Sequence, residues 1–149
     1  MLTALLTVAC TSAGARPHHR PLPEPTANPS PDPVCTFAHP TKTVDSLKRL
    51  PGPIRRALLK SAGAMADRGE FFNAGDVVMK PAPFNRFIRG GEIGEKWFAW
   101  YEHGGFAYWT QIVIFGSDPS GTPHILANER STDGNLCAAT DALLDKATH

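Results

Sequence analysis

Between residues 53 and 68, Ile54, Ala57, Leu58, Ala62, Met65 and Ala66 recur at spacings of three and four. That is one apolar stripe at helical period, and it predicts a helix over 53–68. Pro53 suits its first position, and Arg68-Gly69 supplies a cation in the last turn followed by a left-handed cap. Just upstream, residues 45–50 predict one or two helical turns, cut by Pro51-Gly52-Pro53. After Gly69 the period changes from helix to strand. Residues 76–80 and 85–89 predict two short strands, the first ended by Pro81 and Pro83, the second by Gly90-Gly91. Residues 95–103 and 106–115 are rich in aromatic and β-branched positions, with Gly104-Gly105 between them as a two-residue hairpin turn. A last strand is expected over 124–129. A final helix over 136–146 starts from Thr132-Asp133-Gly134-Asn135 and has Leu136, Ala139, Leu143 and Ala147 along one face.

The element order is helix, four to five strands in hairpins, helix. This predicts an α+β domain: an antiparallel meander of four to five strands with an N-terminal and a C-terminal helix packed on one face. In the central hairpin, a two-residue turn places Trp100 directly opposite Trp109. One face then carries Lys96, Trp100, Glu102, Trp109 and Gln111. Both faces are too apolar for a strand that is simply half exposed. The mixed aromatic and polar face is therefore either the packed interior of a curled sheet or a surface that binds a partner protein or ligand.

The N-terminal segment points to the cell envelope. Residues 1–10 form a short apolar run closed by Val8-Ala9-Cys10. This resembles the signal segment of a bacterial lipoprotein, with a small residue before the cysteine that becomes the lipidated N-terminus. The resemblance implies that Cys10 carries the acyl chains and is held in a lipid bilayer. With Thr11 next, it also implies sorting to the outer membrane if the cell is Gram-negative. An ordinary cleaved export signal is the other reading of the same stretch. Residues 11–34 contain Pro17, Pro21, Pro23, Pro25, Pro29, Pro31 and Pro33, a spacing that excludes helix and sheet and reads as an extended, disordered tether. Residues 35–149 then make a single globular domain by size.

Cysteine usage agrees with an exported chain. Of the three cysteines, Cys10 would be taken by lipid on that resemblance, and Cys35 and Cys137 at the two ends of the folded region read as one disulfide. A formal net charge of +1 gives no reason to expect nucleic-acid binding. No metal or cofactor is implied, since the chain has no Cys-x-x-Cys, His-Glu-x-x-His or phosphate-cradling glycine loop. Catalytic signals reduce to Glu102 and His103 at the hairpin tip, with His124 as a third acid–base group. Three functions remain open: a lipid-anchored binding domain using the aromatic face, an envelope hydrolase using Glu102 and His103, and a structural envelope component whose basic first helix rests on an anionic surface.

Overall fold

A computed structural model of the chain describes residues 34–131 and 134–147. The proposed signal segment, Cys10 and nearly all of the proline-rich tether lie outside the described residues. The chain is α+β, with strands β1 (Thr41–Val44), β2 (Met65–Ala66), β3 (Asn85–Ile93), β4 (Lys96–His103), β5 (Trp109–Ser117) and β6 (Pro123–Ser131). Helix α1 spans Gly52–Ala62, and α2 spans Leu136–Lys146. The sheet order is β1-β3-β4-β5-β6 with antiparallel neighbours. The two-residue β2 joins β3 in parallel, so β1 and β2 share one edge of β3 in tandem.

The two helices are not on one face. Phe98 and Trp100 of β4, with Ile112 and Ile114 of β5, pack against Leu136, Leu143 and Leu144 of α2. The alternate residues Ala99, Tyr101, Val113 and Phe115 pack against Ile54 and Leu58 of α1. Successive strand residues point to opposite faces, so α1 and α2 cover the sheet from opposite sides. This corrects the expected one-sided layering, and it explains why both faces of the central hairpin are apolar: each has its own helix. The curled-interior reading of that apolarity is not needed.

Several boundaries also differ from expectation. Helix α1 stops at Ala62 because Gly63 takes φ 83° and caps back to Leu59 O. Met65 and Ala66, which continue the helical spacing in sequence, are instead β2. Residues 76–80 are loop rather than strand. Gly90-Gly91 does not end β3 but lets it run on to Ile93. A Cβ on Gly91 would lie 2.7 Å from the Phe98 ring and 2.6 Å from Lys42 O, so only glycine lets β1 and the Phe98 ring close in here. The helical turn expected over 45–50 is the single 3-10 turn Leu47–Arg49, and β1, too short and polar to be seen in the pattern, was not expected.

The expected staple is present. Cys35 and Cys137 are disulfide-bonded, joining the start of the described chain to the first turn of α2 across a sequence separation of 102. Phe37, just beyond, stacks on Trp100 with ring centroids 5.6 Å apart. The segment 35–41 thus runs beside α2: Ala38 N–H donates to Asp141, and His39 faces Asp145. It ends at Thr41, which pairs with Ile93 at the β3–β4 turn.

Candidate functional site at the loop end of the sheet

The β4–β5 connection decides which side chains share a face. His103 pairs with Trp109, not with Phe106, so the loop is residues 104–108 and the register is offset by three (109 minus 106) from a two-residue turn. An odd offset sends every residue of β5 to the other face. The five predicted binding residues are therefore split. Lys96, Trp100 and Glu102 stay on the α2 side, while Trp109 and Gln111 join Tyr101 and His103 on the α1 side.

Each of the five has a definite place. Trp100 is fully buried, and its indole N–H donates to Thr140 Oγ1 at 2.8 Å. It is core and touches no solvent. Lys96 sits at the opposite end of the sheet, beside an open cleft of about 710 Å³ that it lines with His39, Ile93 and Asp145. Glu102 is buried against Arg86, whose Nε donates to it at 2.6 Å, and it also accepts the Tyr108 hydroxyl at 2.6 Å. The Arg86 guanidinium lies over the Phe72 ring, 4.3 Å from its centroid, and donates to Glu70 O. Glu102 is thus the centre of an ion pair that pins the 70–72 segment and the β4–β5 loop to β3. Burial, followed by the bond to Glu102, pushes the Tyr108 hydroxyl pKa well up, so it stays a donor.

Trp109 and Gln111 belong to a partly open strip on the α1 side. The rings of His103 and Trp109 stack with centroids 4.0 Å apart. The Arg130 guanidinium covers the Trp109 ring at 3.9 Å. Trp109 Nε1 donates to Gln111 Oε1 at 3.1 Å, and Gln111 Nε2 donates to Asn128 Oδ1 at 2.7 Å. Asn85 fixes the histidine from below. Its Nδ2 donates to Ala62 O at 2.8 Å, which leaves Oδ1 as acceptor facing His103 Nδ1 at 2.6 Å. The neutral imidazole therefore carries its proton on Nδ1 and presents a lone pair at Nε2. Burial, then the nearby Arg130 charge, lowers the His103 pKa below its ordinary value and favours that neutral form.

The three acid–base candidates do not assemble. Glu102 and His103 point to opposite faces, and Glu102 is committed to Arg86 and Tyr108. His124 pairs with Gly116, seven residues along β5 from Trp109 (116 minus 109), which is about 23 Å at strand rise. No cluster of three or more His, Cys, Asp or Glu suited to a metal ion occurs among the described residues. The residues that sequence reasoning missed are Arg130, Asn128 and Asn85. Two of these are register partners of site residues: Asn85 pairs with His103 across β3–β4 and Arg130 with Gln111 across β5–β6, and the five-residue connection at 104–108 puts Trp109 and Gln111 on the His103 face where they meet.

Two loops close this end of the sheet. Asn73, nearly fully buried, donates through Nδ2 to Met79 O and Ala82 O and accepts from Met79 N–H at 2.7 Å. The 73–84 loop is joined to the β4–β5 loop where Gly104 N–H donates to Phe84 O at 2.8 Å. Comparison with protein families, with curated proteins and with solved structures finds no match for this chain.

Proposed function

We propose that this is an exported, lipid-anchored envelope protein whose globular part is a binding module for an anionic partner, protein or small ligand, and not a hydrolase. One observation carries the reading: the Arg130–Trp109–His103 stack. Arg130 is exposed and its guanidinium lies over an aromatic ring, an arrangement that pre-orders it for bidentate contact with a carboxylate or phosphate. The His103 lone pair and the half-buried Trp109 ring lie beside it and supply an acceptor and an apolar platform. Export is supported by the lipoprotein-like segment 1–10 and by the Cys35–Cys137 disulfide, which persists in oxidising compartments. Binding is favoured over hydrolysis by the separation of Glu102, His103 and His124, which lie in three different places.

The test is site-specific photo-crosslinking in the producing cell, with the full-length protein. A photoreactive residue replaces Asn128, at the rim of the strip, or His124, exposed on the same strand at the far end. The expected result is an adduct at 128 that disappears with Arg130→Glu, and none at 124. Equal labelling at both positions, or labelling indifferent to Arg130, rejects the strip as the binding surface. Mass spectrometry of the mature chain checks the address: an acylated N-terminal Cys10 is expected.

A further inference from the structure

The two loops at this end expose an apolar surface that the strip does not use. Phe106 is 98% exposed and Val77 76%, and Val78, Met79, Phe84 and Tyr108 are also exposed. Val77, Val78 and Met79 are consecutive, flanked by Asp76 and Lys80. Monomeric soluble proteins rarely leave a contiguous group of this kind uncovered. These side chains are not on slack chain. Asn73 fixes the backbone of the 73–84 loop from within, Tyr108 is held by Glu102, and Gly104 packs so tightly on Asn73 and Ala74 that a Cβ would overlap their backbone. The tips are therefore presented at little ordering cost.

The position of the chain's entry says what covers them. Strand β6 ends at Ser131 beside Thr110, next to the β4–β5 loop, and α2 begins shortly afterwards with Cys137 in its first turn. The disulfide holds Cys35 there, and residues 35–41 run from that end towards the β3–β4 turn at the other. The described chain thus begins at the loop end, and the 33 residues that precede it in sequence include the apolar segment and Cys10. Lys80 directly after Met79, and Tyr108 two residues after Phe106, are of the types that settle at the headgroup level of a bilayer. From this we infer that the 77–79 and 106 loop tips insert into the bilayer interface, so that the domain sits on the membrane with the strip at headgroup height rather than swinging free. This surface is separate from the strip, and the inference stands or falls independently of what the strip binds.

The test uses the full-length protein with a polarity-sensitive fluorophore on Val78→Cys, on Phe106→Cys, or on the control Glu95→Cys at the β3–β4 turn. The native Cys35 and Cys137 are disulfide-bonded and do not label. Vesicles of phosphatidylcholine and phosphatidylglycerol are added to the acylated chain and to its Cys10→Ser counterpart. The expected result is a blue shift and protection from aqueous iodide at 78 and 106, but not at 95, in both chains. In the Cys10→Ser chain, Val78→Asp with Phe106→Asp lowers vesicle partitioning by about tenfold or more while the unfolding curve is unchanged. A label at 78 that stays as quenchable as the one at 95 in vesicle-bound protein overturns the inference. Protection at 78 without lipid, growing with protein concentration, overturns it as well and assigns the surface to a second copy of the chain. If Cys10 proves unacylated, the anchor proposal fails, and the Cys10→Ser measurement still decides the loop insertion.

Discussion

Asn85 holds His103 in one tautomer: the Asn85 Oδ1 faces His103 Nδ1 at 2.6 Å while its Nδ2 is spent on the last carbonyl of α1. A buried amide that cannot turn around thereby sets which nitrogen of an open imidazole bears the lone pair. Helix α1 contributes to the site through this bond, by ending at Ala62 where Asn85 can reach it.

His103 is expected to titrate below an ordinary histidine. Its pKa is lowered first by burial and then by Arg130, so the folded protein holds its proton less tightly than the unfolded chain does. The unfolded state then binds more protons, and this group's contribution to stability is present above the unfolded value of about 6.5 and lost as pH falls through the folded one. Following the His103 Cε1 proton by NMR should give a midpoint below the ordinary histidine value of about 6.5. Arg130→Ala should move the His103 midpoint up, since it removes a repelling charge. An unmoved midpoint means the charge is not felt at the ring.

The two central tryptophans should behave oppositely. Trp100 is fully buried and bonded to Thr140, so Trp100→Ala should cost about 3–5 kcal/mol in urea unfolding. Trp109 is partly open, and Trp109→Ala should cost nearer 1 kcal/mol and leave the fold intact. If Trp109→Ala proves as damaging as Trp100→Ala, the strip is core.

Much of this fold is written in local pattern, and the site is not. Helix α2 is legible because Asn135 caps it through Ala138 N–H and its apolar positions keep the 3.6 period. The long strands are legible from their aromatic and β-branched content. What local pattern cannot supply is parity. Gly104-Gly105 has turn chemistry in isolation, but Gly104 is drawn onto the 73–84 loop by its bond to Phe84, and the connection lengthens to five residues. That long-range contact moves Trp109 away from Trp100 and onto His103. Val77-Val78-Met79 reads as a strand for the same reason: its composition is right, but Asn73 takes up the backbone N–H and C=O of Met79 in place of a neighbouring strand.

Glu102 ties β3, β4 and the β4–β5 loop together through Arg86 and Tyr108. Its carboxylate is buried between Arg86 and Tyr108, so Glu102→Ala strands a buried guanidinium and should cost about 3–5 kcal/mol. Tyr108→Phe removes one charge-assisted bond from a half-exposed ring and should cost less, about 1–2 kcal/mol. Denaturant curves of the two variants check the order. A Glu102→Ala protein as stable as the parent would show that the ion pair contributes nothing.

The disulfide fastens the chain's entry point more than it fastens the sheet. It closes a loop spanning almost the whole described chain, for which the chain-entropy model gives about 4.7 kcal/mol and typical measurements about 2–4 kcal/mol. In the folded state it holds Cys35 against α2, and with it Phe37 against Phe98 and Trp100. The double change Cys35→Ser and Cys137→Ser should therefore do two things. Global stability should fall by about 2–4 kcal/mol, measured in urea. Amide exchange should also quicken first at Thr36–Ala38, before β4 or β5 opens, because those residues gain a low-energy local opening once the covalent end is released. Exchange that quickens uniformly across the sheet would instead make the bond part of the cooperative core, and the entry point would then be held by Phe37 packing alone.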